Sequence, residues 1–114
     1  MQSELIPKIA TGFCSGISRT CGTCGAVSGA IMAINIFYGR NLPDELVDKN
    51  YIMIKKLINI FERKFGSTNC KNLIGCDLET EEGQNTFKSN NLIERCKGYT
   101  EEATRMAMSI IEKN

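Results

Sequence analysis

Val47-Asp48-Lys49-Asn50-Tyr51-Ile52-Met53-Ile54-Lys55-Lys56-Leu57-Ile58-Asn59-Ile60-Phe61-Glu62-Arg63-Lys64-Phe65-Gly66 decides the fold class. Val47, Tyr51, Ile54, Ile58, Phe61 and Phe65 recur at alternating steps of four and three, the spacing that lines one side of an α-helix. Lys49, Lys55, Glu62 and Lys64 take the solvent-facing positions between them. The helix is predicted to open at Asn41 and Pro43, with Asp44 and Glu45 in a first turn that favours carboxylates, and to stop at Gly66.

The rest of the chain reads the same way. Upstream, Thr23 is a predicted N-cap for an apolar helix running through Cys24 to Tyr38, with Gly39 as a left-handed C-cap. Gly25, Ala26, Gly29, Ala30 and Ala33 give that helix a face almost without side-chain volume, open to close approach by another backbone. Before it, Leu5, Ile6, Ile9, Ala10 and Phe13 form a short helical pattern, followed by a loop rich in Ser and Gly. Downstream, Ser67-Thr68-Asn69 precede a short helix from Cys70 to the stop at Gly75. Thr80-Glu81-Glu82 starts a helix ending near Ser89, and Thr100-Glu101-Glu102 starts a last one with Ala103, Met106, Ala107, Ile110 and Ile111 buried. No alternating strand pattern competes. The expected fold is all-α, one helical domain over residues 1–114, a bundle of about four to five helices.

Charge excludes some functions. Fourteen basic and 13 acidic residues nearly cancel and are spread along the chain, so nucleic-acid and acidic-membrane binding are not expected. The apolar run from Ala26 to Tyr38 is too short to span a bilayer and contains Asn35. Pro7 and Lys8 interrupt the N-terminal apolar residues, and no signal-peptide pattern follows. A cytoplasmic location is expected.

With no histidine present, sulfur is the strongest candidate for chemistry: Cys14, Cys21, Cys24, Cys70, Cys76 and Cys96. In a reducing compartment, clustered cysteines bind metal or cycle redox state more often than they staple a fold. Cys21-Gly-Thr-Cys24 is a C-x-x-C pair entering a helix, a spacing that lets two sulfurs bond or share a metal. A thiol at a helix N-terminus is expected to favour thiolate, which singles out Cys24, and Cys70 repeats the placement. Cys14, Cys76 and Cys96 are as readily small buried hydrophobes.

Other cofactor chemistries are constrained. Four-cysteine zinc prefers two close pairs, and Cys70 and Cys76 lie wider apart than usual. An iron–sulfur cluster on four of the six thiolates stays open, without a compact ferredoxin-type run. Covalent haem needs histidine after the second cysteine, where Gly25 stands. A Cys–His nucleophile is excluded. Gly22, Gly25 and Gly29 are spaced like a dinucleotide loop but follow no strand, and Glu79, Glu81 and Glu82 read as a solvated helix start.

Thr23-Cys24-Gly25-Ala26-Val27-Ser28-Gly29-Ala30 together with Phe65-Gly66-Ser67-Thr68-Asn69-Cys70-Lys71-Asn72-Leu73-Ile74-Gly75 resembles the prokaryotic C_GCAxxG_C_C family of redox-active proteins, whose domain is also similar to part of split-Soret cytochromes. The resemblance runs from about Phe13 onward. It aligns Cys24 with the cysteine of the CGAxxG motif, Cys70 with the one after Phe-Gly-Ser, and Cys96 with the late one. The family's first cysteine, on an N-terminal helix, has no counterpart, while Cys14 and Cys21 stand where many relatives carry glycine.

The resulting expectation is a redox site of Cys24, Cys70, Cys96 and Cys21, extended by Cys14, working by thiol–disulfide exchange or electron transfer with a redox partner protein. The alternative is a carrier or structural module in which the six cysteines hold zinc or an iron–sulfur cluster. A helical interaction protein with cysteines as core is a third. The small-residue helix face leaves a homodimer open.

Overall fold

The computed structural model describes residues 3–113. Helix α1 (Leu5–Ala10) and a 3-10 turn (Thr11–Phe13) lead into a tight segment, α2 (Cys14–Arg19). Five helices follow: α3 (Gly25–Tyr38), α4 (Asp48–Phe65), α5 (Cys70–Ile74), α6 (Glu81–Ser89) and α7 (Ile93–Glu112). Among the described residues there is no strand, and the fold is the all-α one expected. Every helix located from the sequence is present, the short N-terminal one as α1, and residues 11–19 add two short segments.

Helices α3, α4 and α7 pack against one another and enclose the main core. Its largest fully buried side chains are Phe61, Ile34, Leu57 and Val27. Small residues (Ala30 on α3, Ala103 and Ala107 on α7) let those two helices close up. A smaller cluster of Cys70, Ile74 and Leu78, with Phe87, Leu92 and Cys96 against it, joins α5 and α6 to the start of α7. Cys70, Cys76 and Cys96 belong to this second cluster, and Cys24 to the main core.

An aromatic chain within the main core reaches across to α5. Phe61 and Phe65 have ring centroids 4.8 Å apart, and Phe65 meets Tyr99 edge-on at 4.9 Å. The Tyr99 hydroxyl donates a 2.6 Å hydrogen bond to the Leu73 carbonyl, which fixes α5 against α7.

Four details depart from expectation. First, α4 begins at Asp48, not near Pro43. The Glu45 carboxylate accepts from the Leu42 N–H at 3.1 Å, and the Arg40 guanidinium donates to the Pro43 carbonyl at 2.8 Å, so residues 40–46 fold into their own turn. Second, the buried face of α4 is rotated from the predicted one. Asn50, Met53, Leu57 and Phe61 are buried, Ile54, Ile58 and Phe65 flank them, and Tyr51 is exposed. Asn50 is accommodated because its amide donates to the Asn35 side chain at 3.0 Å.

Third, Gly39 ends α3 in an extended conformation (φ −74°, ψ 158°), not a left-handed one. Glycine is needed there because a side chain would run into the Asn35 carbonyl. Gly66 and Gly75 do adopt the left-handed C-cap, with φ 85° and 78°. Fourth, α7 begins at Ile93, a full two turns before Thr100. The Thr100 hydroxyl donates to the Cys96 carbonyl at 3.0 Å, behaving as a helix-interior residue and not as a cap. Cys96 therefore lies in the first turn of α7. Among the described residues, no helix is long and apolar enough to cross a membrane.

Candidate functional site

Two cysteine-bearing segments far apart in sequence are clamped face to face. Thr23 and Asn69 form an isolated antiparallel bridge. On either side of it, the Cys24 N–H donates to the Thr68 carbonyl at 2.7 Å and the Cys70 N–H donates to the Gly22 carbonyl at 2.9 Å. Cys24, and not the predicted Thr23, is the N-cap of α3, because Thr23 is drawn into the bridge; the Cys24 carbonyl accepts from the Val27 and Ser28 amides. Cys70 is the first residue of α5. Both side chains are buried.

The preceding loop is built around this clamp. Ser15, Gly16, Ile17 and Ser18 all have left-handed dihedrals, making one left-handed helical turn. Such a turn costs roughly 1–2 kcal/mol for each residue other than glycine, and a β-branched residue such as Ile17 is an outlier there. Hydrogen bonds hold it: Thr20 Oγ1 donates to the Ile17 carbonyl at 2.8 Å, Ser18 Oγ to the Gly12 carbonyl at 2.9 Å, and Gly22 N–H to the Gly16 carbonyl at 2.8 Å. The turn presses buried Gly16 onto Cys70.

A Cβ on Gly16 would lie 2.5 Å from Cys70 Cβ and 3.2 Å from its sulfur. Gly16→Ala is therefore expected to destabilise the fold by roughly 1–3 kcal/mol and to push Cys70 outward. Chemical denaturation measures the first effect, and faster alkylation of Cys70 reports the second.

Beside the clamp, a cavity of about 510 Å³ runs along α3 and α7. Cys14, Cys24, Cys70 and Cys96 all line it, contributed by four different elements or their caps. The small-residue face of α3 forms one wall. Close backbone approach occurs at one end of that face, where Gly25 sits against Phe13 and Cys14, whereas Gly29 looks onto open space.

Burial holds the Cys70 and Cys96 thiols above their ordinary range. It pushes the Cys70 thiol up to about 11 from the ordinary 9.0, with the neighbouring Cys24, Cys96, Cys21 and Cys76 sulfurs adding to the rise. Burial also raises Cys96, and here too Cys24 is the sulfur with the largest effect. The expectation that Cys70 favours thiolate is thus corrected: α5 is only five residues long, and desolvation outweighs its N-terminal field. Cys24 is the hub to which both other thiols respond most.

Cys21 and Cys76 are half-buried and do not line the cavity. Cys21 Sγ donates instead to Asp77 Oδ1 at 3.1 Å. That bond holds the Asp77 carboxyl below its ordinary range and raises the Cys21 thiol. Glu79 joins them, and the ligand atoms of Cys21, Asp77 and Glu79 all lie within 4.8 Å of one another. Among the described residues this is the single group of three or more such atoms, so no three cysteine sulfurs are equally close. All six cysteines are free thiols. In the sequence Glu79 reads as part of a solvated helix start, and Asp77 carries no signal of its own. No spacing rule links an Asp-x-Glu step to a cysteine 56 residues earlier.

Residues 1–110 match the family model described as Putative redox-active protein (C_GCAxxG_C_C). The chain belongs to this family. The match takes in the segment before Phe13, and hence α1, as well as the turn that presses on Cys70. No curated protein and no solved structure matches the chain.

Proposed function

We propose that this member of the family is a thiol redox protein whose working groups are Cys24, Cys70 and Cys96, with Cys14 at the rim of the cleft and Cys21 beside it. One observation carries the reading: thiols from the cap of α3, the start of α5 and the first turn of α7 line a single cavity. Packing alone does not call for four cysteines around an open space.

In thiol–disulfide exchange a thiolate attacks a disulfide sulfur and releases the other sulfur as a thiolate. A second thiol then resolves the mixed disulfide, its proton passing to the departing sulfur. Cys24 is the proposed attacker because it is central to the group. Cys70 and Cys96, kept protonated by burial, are the resolving thiols. A redox partner protein returns the site to the dithiol state, and a second copy of the chain is a further proposed partner. The cytoplasm is the proposed compartment, where thiol pools keep such cysteines reduced between turnovers.

The test is reversible oxidation of the reduced protein with diamide, followed by thiol counting before and after dithiothreitol. The wild type is expected to lose two thiols and regain both, and Cys24→Ser to slow that loss at least tenfold. Oxidation of Cys24→Ser at the wild-type rate would remove Cys24 from the role.

The proximity of Cys21, Asp77 and Glu79 favours a second reading, a divalent metal site of one sulfur and two oxygens of the kind zinc accepts. Cobalt titration is its test: thiolate-to-cobalt absorption is expected in the wild type and lost in Cys21→Ser. An all-cysteine zinc or iron–sulfur site would first require the sulfurs to move together, and it would show as cobalt absorption that survives Cys21→Ser.

A further inference from the structure

We infer that the cleft binds an uncharged, apolar electron acceptor of the quinone class against the small-residue wall of α3, and that this molecule oxidises the cleft thiols. The inference rests on the thiol redox reading above and names its substrate.

The chemistry of the lining carries it. Among the described residues, no Lys, Arg, Asp or Glu contributes to the cavity wall. Three of the four lining hydroxyls are already engaged: Thr100 and Thr104 donate to carbonyls one turn back at 3.0 and 2.7 Å, and Tyr99 donates to Leu73, while the fourth, on Ser15, belongs to an exposed residue. A nucleotide, a flavin phosphate or a glutathione carboxylate would bury charge there with no counter-ion, which costs several kcal/mol. An uncharged ligand avoids that cost.

Size and shape narrow the class. About 510 Å³ is within the range of small-molecule sites, roughly 300–1,000 Å³. Gly29 meets nothing within 4 Å of a notional Cβ, so the α3 wall there is flat and open. Phe37, Phe87 and Tyr99 supply aromatic surface around the same space, suited to a ring system.

The electron count fits a neutral cavity. Two cleft thiols, Cys24 and one of its neighbours, lose two electrons and two protons and form one S–S bond. The quinone takes both electrons and, at its two carbonyl oxygens, both protons, leaving as a hydroquinone. Acceptor and product are both uncharged, so the apolar wall never has to solvate an ion. Thiols that rest protonated bring the required protons with them.

The experiment mixes pre-reduced protein with decylubiquinone under anaerobic conditions, a ring whose full substitution suppresses thiol addition. Hydroquinone formation and thiol loss are followed together, with diamide oxidation as a parallel arm. One hydroquinone per two thiols is expected. Gly29→Phe, which fills the cleft from an exposed helix position, is expected to slow quinone reduction at least tenfold more than it slows oxidation by the small reagent diamide. Gly29→Leu provides the same comparison if the larger side chain perturbs folding.

If diamide forms the reversible disulfide but decylubiquinone is not reduced, or is reduced equally fast by both Gly29 variants, the quinone inference falls and the thiol reading stands. Reaction with a protein disulfide in place of the quinone would likewise overturn the quinone inference and leave the thiol reading intact. If diamide forms no reversible disulfide either, the thiol reading itself falls.

Discussion

Phe61→Ala is expected to lower the free energy of unfolding by about 3–5 kcal/mol, a large part of the total stability of a domain this size. Phe61 is fully buried where α4 meets α7, and its ring packs on both Phe65 and Tyr99. Removing it leaves a cavity that rigid helices fill only partly. The effect also reaches the site, because Tyr99 anchors the Leu73 carbonyl and so holds α5 with Cys70 at its start. Chemical denaturation is expected to show the loss as a lower midpoint. Alkylation under native conditions is expected to show Cys70 reacting faster than in the wild type. A variant of unchanged stability would mean that the three-helix core is not built around this ring.

Cys70 itself is expected to react with iodoacetamide at pH 7 on the order of a hundredfold more slowly than an ordinary thiol, from protonation alone. Burial lifts its titration from 9.0 to about 11, so its thiolate is about a hundred times scarcer at neutral pH. The rate is expected to climb about tenfold per pH unit beyond pH 9, where an ordinary thiol levels off, and to flatten only near 11. The stability consequence has a definite sign. Between these two values the folded protein keeps a proton that the unfolded chain gives up. The stabilisation is fully present below pH 9 and is lost as pH rises through 11, amounting to at most about 3 kcal/mol. Mass-resolved alkylation across pH separates Cys70 from the other cysteines. A plateau for Cys70 near pH 9 would contradict its burial.

The helices were legible because their signals are local. The apolar period of α4, the left-handed glycines at 66 and 75, and Thr80 as a cap whose Oγ1 accepts from the Gly83 N–H are each decided within a few residues. Boundaries failed where a side chain had a competing use. Glu45 turned back to cap its own loop, and Thr100 bonded to the preceding turn, so α4 started later and α7 earlier than their cap-like residues suggested. The rotated face of α4 has a tertiary cause: Asn50 is buried because Asn35, on another helix, pairs with it.

For the site, the sequence located Cys24 and Cys70 at helix starts but not what lies between them. The bridge from Thr23 to Asn69 is a long-range pairing with no repeat or spacing to announce it. The left-handed turn at Ser15–Ser18 was equally hidden, since only Gly16 among those residues carries a left-handed preference. The thiolate expectation for Cys70 failed because burial, a property of the whole fold, overrode the local helix-end field. Glu79 reads from the sequence as a solvated helix start for the same reason: its partners Cys21 and Asp77 become neighbours only in three dimensions.

The most direct measurement is a redox titration of the purified protein against dithiothreitol buffers, with mass spectrometry identifying which cysteines lose their thiols together. A redox-active cleft predicts one reversible two-electron transition in which Cys24 pairs with Cys70 or Cys96, while Cys76 stays a free thiol. No reversible transition, or one in which Cys24 remains reduced throughout, would contradict it.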